Sequence, residues 1–471
     1  MNKLNKYLTA ELYFVVLGLI FGSIFINVNP PFHSNDEDRH FLYAYHIAEN
    51  GLIPELSADK TKFGGEVPTN LTKVVQSFQG VPYHIGQKMK RSDVEFRKNV
   101  PLLEDKKQFE SNQMSKNFPV PYLHNAMAIK IGKSFNSNPV SLGYAARYGS
   151  LFLYLVCMFF IIRLMPVFKT TMMAFALTPM VLYQMTSVTY DVFNYIISFY
   201  FVALYLYYTF TPKAKLNLKS IILIVLLAIL YNQTKAGYFL LPLIIVFIPK
   251  NKIDVKFNPL FVQLGLALIF LLLYFNIPFV WRDWYLSARE GLIGSGAGFQ
   301  NDFLKDRGIR LSNIFADPFT FIGNLWANLM HFKQVWAAGI LGKFGYSYSE
   351  LPQGFYIAQG VGLILIAFLD GKKDVVINMK TKIGIGAVGI ATFFLVIVGF
   401  YAMSPIGAEM IFGFQGRYLI PSIPFLLLLL YNDKVIIPKW ADNKNLIVAL
   451  FMVIMLSFAV DKMYDLFYYA Y

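Results

Sequence analysis

Long apolar blocks dominate this chain. They run about 18–25 residues, the length a helix needs to cross hydrocarbon, and short polar connections separate them. In lipid only helices and closed barrels satisfy their own backbone polar groups. Barrel strands alternate in hydrophobicity over about ten residues, whereas these blocks are uniformly rich in Leu, Ile, Phe and Tyr. The pattern therefore predicts an all-α, polytopic transmembrane protein. Composition agrees: 56% of the 471 residues are hydrophobic and 15% charged. Soluble domains are about half apolar and roughly a quarter charged.

About eleven spans are expected, near 10–28, 144–165, 167–185, 190–210, 217–232, 235–249, 258–280, 353–370, 383–402, 416–431 and 444–463. Residues 217–249 also read as one segment broken at Asn232–Lys235, and 315–342 as a loop helix or a further span. The first block lacks a small-residue cleavage site, so it is expected to stay as a span. Lysine and arginine set the orientation. Six basic clusters, from Lys3 and Lys6 to Lys434, Lys439 and Lys444, fall on one side under this span count. By the positive-inside rule that side is cytoplasmic, with the N-terminus in and the C-terminus out. The net charge of +14 is then a matter of headgroups and topology rather than nucleic acid. The single cysteine, Cys157, excludes an intramolecular disulfide. The whole chain, 1–471, reads as one integral membrane domain. Long external loops are expected at 29–143, with juxtamembrane amphipathic helices, and at 281–352.

The external face holds the unusual residues. Ser34 and Glu37 have capping-box spacing, which predicts a helix from Ser34. Phe41, Leu42, Ala44, Tyr45 and Ala48 give it an apolar face suited to the membrane interface. Asp36 and His40 share one face of it. Asp36, Glu37 and Asp38 suit a catalytic base beside a membrane, and equally suit simple complementation of the helix dipole. Asp191 stands at the mouth of span four, as a capping residue or as a functional acid. Lys235 and Arg417 lie on the external side, against the positive-inside pattern; they suit phosphate binding or snorkelling to headgroups. Asn117–His124, which includes Tyr122, reads as a rigid extended turn. The six histidines show no metal-ligand spacing.

Taken in order, these elements form a pattern. Pro30-Pro31 followed by Asp36-Glu37 and His40-Phe41 resembles the opening loop of GT-C glycosyltransferases. Within that superfamily the chain most resembles the bacterial domain-of-unknown-function 2142 family. It shares the Asp-Glu-x-x-His-Phe element, a Ser/Thr-rich stretch ending at Asp191, a Lys at an external span junction (Lys235), and Gln415-Gly416-Arg417-Tyr418 through Pro421. Here Phe32-His33-Ser34-Asn35 separates the prolines from the acids, so Asp36 and Asp38 both stand as the key acid.

The resemblance implies an inverting glycosyltransferase of the bacterial cytoplasmic membrane, with its active site facing outside. It would move a sugar from a polyprenyl-phosphate donor to a cell-surface glycan or lipid acceptor. Asp36, Glu37 and Asp191 would be catalytic. His40, Asp38, Tyr122, Lys235, Gln415, Arg417 and Tyr418 would bind substrate. Some GT-C enzymes use a divalent metal such as Mg or Mn and others do not, and both cases stay open. A donor synthase and a flippase would be partners. A flippase or transporter of lipid-linked sugars, and a polysaccharide polymerase or ligase of another fold, are the alternatives.

Overall fold

The computed structural model describes residues 9–59, 62–80, 86–135, 138–234, 236–276, 308–345, 351–435 and 437–469. Among the described residues, five helices are long and apolar enough to cross a membrane. They are α1 (Ala10–Val28), α6 (Pro139–Leu164), α9 (Asp191–Phe210), α14 (Met379–Met403) and α16 (Pro438–Phe467), the last from Asp442 onward. Shorter apolar segments accompany them: α10 (Leu218–Asn232), α11 (Pro259–Asn276), α13 (Gln353–Leu369) and the interval Gly416–Leu430. The ambiguous stretch 315–342 is largely one 24-residue helix, α12 (Pro318–Leu341).

These helices are apolar all round, as expected of elements packed partly on protein and partly on lipid. Thus α1 buries Phe14, Phe21 and Phe25 while Val16, Leu19 and Ile20 stay exposed. With apolar lipid outside, burial alone does not drive helices together, and close packing at small residues takes over. Gly18 and Gly22 supply this on α1. A Cβ at Gly18 would stand 2.6 Å from Leu155 Cδ2 of α6, and one at Gly22 would stand 2.6 Å from Leu151 Cδ1.

Three expected spans take another form. Residues 167–185 divide into α7 (Lys169–Ala176) and α8 (Pro179–Met185). Pro179 has no N–H to continue the first helix, and its fixed φ suits the first turn of the next. Residues 235–249 contain two 3₁₀ runs, Ala236–Tyr238 and Leu241–Phe247, the second with Pro242 near its start. The segment at 416–430 is also mixed: 3₁₀ over Gly416–Ser422, then the short α15 (Ile423–Leu427), then 3₁₀ again over Leu428–Leu430. Pro421 cannot donate to the Arg417 carbonyl. That carbonyl accepts from Tyr195 Oη of α9 at 2.9 Å instead, and Ser198 Oγ donates to the Pro421 carbonyl at 2.5 Å. Side chains of a neighbouring helix thus satisfy backbone groups that proline frees.

The segment between α1 and α6 also departs from an all-α fold. It carries α2 (Glu37–Asn50), α3 (Thr69–Gln76), α4 (Arg91–Lys98) and α5 (Leu123–Lys133), together with a three-stranded antiparallel sheet. Its strands β1 (Glu55–Leu56), β2 (Phe63–Pro68) and β3 (Lys107–Ser111) pair in chain order. The sheet and α5 cover α2, so Phe41–Ile47 is wholly buried rather than laid on a surface.

The glycine contact gives a stability test. Gly22→Leu should destabilise the protein by about 1–3 kcal/mol through overpacking, read as a lowered thermal midpoint in detergent. Adding Leu151→Ala should recover part of the loss. An unchanged midpoint would show that α1 and α6 do not meet there.

Candidate active site

The connection from α1 to α2 is fixed by one buried residue of α6. Arg147, 1% exposed, donates Nε to Glu37 Oε1 at 2.7 Å and Nη2 to Glu37 Oε2 at 2.6 Å. Its remaining N–H groups reach the carbonyls of Ile26 (3.1 Å), Asn29 (2.7 Å) and Pro30 (2.7 Å). A guanidinium has five N–H donors, and all five are engaged. Two of those carbonyls end α1, where a helix leaves acceptors unpaired and favours a cation. Glu37 is equally saturated, because it also accepts from Ser34 N at 3.1 Å and Val188 N at 3.0 Å.

Only the return half of the expected capping box therefore forms. The helix begins at Glu37, three residues later than the spacing suggested, because Ser34 Oγ turns away. It meets Asn29 Nδ2 at 2.8 Å and Ser187 Oγ at 2.6 Å. The loops 29–36 and 186–190 are thus fastened side by side. Asp36, at the turn into α2, has φ of 55°, a left-handed conformation that Asp adopts more readily than most side chains.

This fastening brings together residues far apart in sequence. Asn35 Nδ2 donates to Gln415 Oε1 at 3.2 Å, joining the first loop to the Gln-Gly-Arg-Tyr element. His40 Nδ1 lies 2.7 Å from Tyr122 Oη, and its ring packs edge-on to Tyr190 with centroids 5.2 Å apart. Asp36, Asp191 and Arg417 all act electrostatically on His40. Burial is the largest influence there and pushes the imidazole down to about 4, so His40 is neutral near pH 7. Burial also raises the Tyr122 phenol well above its usual range, leaving it a neutral hydrogen-bond partner. Asp191 is buried as the first residue of α9 and accepts from Asn194 Nδ2 at 3.2 Å.

Arg417 is buried and held by neutral oxygens. Nε donates to Gln415 Oε1 at 2.9 Å, Nη1 to Gln184 Oε1 at 3.1 Å and Nη2 to Tyr418 Oη at 3.2 Å. One N–H on each Nη is left beyond these bonds, and among the described residues Arg417 makes no ion pair. Gly416 lets this segment approach α12: a Cβ there would lie 1.9 Å from the Trp336 carbonyl oxygen.

The structure thus assembles Asp36, His40, Tyr122, Asp191, Gln415, Arg417 and Tyr418 at one end of the bundle. Glu37 is turned into the Arg147 clamp. Burial raises the Asp38 carboxyl above the usual range, and its Oδ1 is buried without a hydrogen bond. Lys235 lies outside the described residues. Among those residues, no three His, Cys, Asp or Glu side chains group closely enough to hold a metal ion. Sequence reasoning passed over Arg147, Gln184 and Tyr190. The available signal was Arg147 itself, an arginine inside an apolar span.

Fold and site together define a polytopic helical membrane protein with a buried polar centre where several helices end. Its sequence belongs to the family described as Predicted membrane protein (DUF2142), which it matches over residues 19–426. No curated protein and no solved structure matches it.

Two predictions concern stability. Arg147→Met leaves the Glu37 carboxylate buried without its partner, which should cost about 3–5 kcal/mol. Adding Glu37→Gln should cost less than the sum of the two single changes, measured by a double-mutant cycle in detergent. Strict additivity would contradict the clamp.

The second is acid sensitivity. His33, fully buried with both ring nitrogens unbonded and its ring 4.3 Å from that of Phe467, is pushed down to about 3, chiefly by burial. Like His40, it binds its proton more weakly folded than unfolded. The stability each contributes is complete above the unfolded value near 6.5 and is lost as pH falls toward 4 and then 3. The thermal midpoint should fall between pH 7.5 and 5, and His33→Phe should flatten that slope. A midpoint flat over this range would contradict both assignments.

Proposed function

We propose that this protein is a glycosyltransferase that moves a sugar from a polyprenyl-phosphate carrier to a cell-surface glycan or lipid acceptor at the external face of the bacterial cytoplasmic membrane. The observation that carries this reading is the gathering of Asp36, Asp191 and Arg417 around the buried His40, beside apolar surface. The eleven-span topology, with this end outside, follows the lysine pattern and fits the reading.

In the proposed reaction a bond forms from the acceptor oxygen to the anomeric carbon. The bond from that carbon to the carrier's phosphate oxygen breaks, and its electron pair leaves with the phosphate. Asp36 takes the acceptor's hydroxyl proton. Arg417 meets the charge growing on the phosphate, and its two remaining Nη donors suit a pair of phosphate oxygens. Asp36 and Arg417 would act from opposite sides of the sugar, so the single displacement inverts the anomeric centre. Neutral His40, held through Tyr122, and Asp191 would orient the sugar and acceptor hydroxyls. Glu37 serves as a positioning residue through Arg147. Among the described residues no three His, Cys, Asp or Glu side chains group as a metal site requires, and no step is routed through a metal. Lys235, from the family resemblance, is a further cation for the phosphate.

A groove of about 490 Å³ supports the lipid half of the reading. Ala337, Ala338 and Leu341 of α12 line it, with Leu351 and Ile357. It adjoins Gly339, whose Cβ would stand 3.0 Å from Gly416 Cα, so a prenyl tail lying there would bring its phosphate toward Arg417. A donor synthase and a flippase would supply this substrate.

One observation favours a transporter of lipid-linked sugars instead. The irregular segments 236–247 and 416–430 touch, with Tyr238 Oη donating to the Tyr418 carbonyl at 2.8 Å. Transporters often build their sites from paired broken helices.

Surface-glycan profiles of cells with matched membrane levels test the assignment. Asp36→Asn should match the strain lacking the protein, and Asp38→Asn should retain function. Arg417→Lys should lower transfer by about a hundredfold or more, since a point charge does not replace the paired donors. Full function in Asp36→Asn would overturn the assignment of the base.

A further inference from the structure

A second charged pocket lies at the opposite end of α1, roughly 28 Å from the first by the rise of a 19-residue helix. It encloses about 240 Å³ among the start of α1, the loop from α6 to α7, the end of α13 and the first half of α16. Asp370, 1% exposed, is fully occupied there. It accepts from Lys444 Nζ at 2.5 Å, and from Thr171 N and Oγ1 at 2.9 and 3.0 Å.

The other groups in the wall are not occupied in this way. Lys169 Nζ donates to the Arg163 carbonyl at 3.1 Å, and Lys372 Nζ to the Pro166 carbonyl at 3.1 Å. An ammonium has three donors, so both lysines keep others. Glu11, 7% exposed, has an Oε2 with no hydrogen bond; Lys169 Nζ is 3.8 Å away, too far to make one. Thr9 Oγ1 is buried and likewise unbonded. The wall therefore offers spare cationic donors on one part and a buried, unsatisfied carboxylate oxygen on another. An unsatisfied buried carboxylate is costly and calls for a donor. A purely anionic ligand would answer the lysines and leave Glu11 worse off.

We propose that this pocket binds the headgroup of a membrane phospholipid carrying both a phosphodiester and a primary ammonium, as phosphatidylethanolamine does. The phosphodiester sits against Lys169 and Lys372, and the ammonium donates to Glu11 Oε2 and Thr9 Oγ1. Basic pockets between helices at the cytoplasmic side commonly take lipid headgroups, and Glu11 adds selection for the zwitterion. Bound there, the lipid bridges α1 to α6, α7 and α16. The site is independent of the transfer chemistry proposed above.

The test uses the purified full-length chain, stripped of lipid in detergent. The rise in thermal midpoint is titrated with phosphatidylethanolamine, phosphatidylglycerol, phosphatidylcholine and inorganic phosphate. Each variant is compared with its own lipid-free midpoint, so a loss of basal stability does not obscure the result. Phosphatidylethanolamine should give the largest rise. Glu11→Gln should weaken its apparent affinity about tenfold, the worth of one charge-assisted hydrogen bond, and reduce its advantage over phosphatidylglycerol. Lys169→Gln with Lys372→Gln should weaken both lipids, while Lys256→Gln, outside the pocket, should leave them unchanged. Equal rises with phosphatidylglycerol and phosphatidylethanolamine would overturn the headgroup assignment in favour of charge alone. A rise with inorganic phosphate as large as with lipid would overturn it in favour of a free anion. No preference over phosphatidylcholine would overturn the site.

Discussion

The buried Glu37–Arg147 pair organises this end of the protein. Two charges taken out of water lose several kcal/mol of hydration each, and only saturated geometry compensates. Here the saturation is complete: five guanidinium donors and four carboxylate contacts all have partners. The partners come from the end of α1, the loop after it, the start of α2 and the loop before α9. One interaction therefore sets the relative position of four backbone segments. Asp36 sits on one of them, next to Glu37, and Asp191 opens α9 three residues after Val188.

The second half of the centre depends on a different device. Between Gly416 and Leu430 the chain gives up regular α-helix, and Pro421 is central to that. Tyr195, Ser198 and Tyr238 return hydrogen bonds to the carbonyls of Arg417, Pro421 and Tyr418. Gly416 lets α12 press against the turn. Arg417 is thereby fixed by its backbone, while its guanidinium is held only by neutral oxygens. A cation so placed keeps its charge for an anionic ligand, unlike Arg147, whose charge is fully used within the fold. Two buried arginines thus play opposite parts, one as a structural clamp and one as the proposed phosphate anchor.

Much of this was legible in the sequence because lipid imposes a strong pattern. Uniform apolar blocks of spanning length matched α1 and α9 to within a residue, and located α6, α14 and α16 with one or both ends displaced by four to six residues. The Asp36–His40 and Gln415–Tyr418 elements were visible as polar residues at span edges, and the fold brings them together. Less legible were features decided by tertiary contact. Pro179 divides one block into two short helices, and Pro242 and Pro421 favour 3₁₀ turns, although hydropathy windows count all three blocks as helical. The small sheet at 55–111 has strands too short to show an alternating period. The role of Glu37 was hidden because its partner lies 110 positions away, and Arg147 was absorbed into the apolar average of its span.

The most direct measurement uses purified protein in proteoliposomes loaded with a polyprenyl-phosphate sugar and a hydroxyl acceptor. It counts the polyprenyl phosphate released against the sugar transferred, and determines the anomeric configuration of the product. The account predicts one carrier phosphate freed per sugar transferred, with inversion, and neither event in Asp36→Asn. If the sugar stays on its carrier and merely changes leaflet, the centre belongs to a transporter and the transferase account fails.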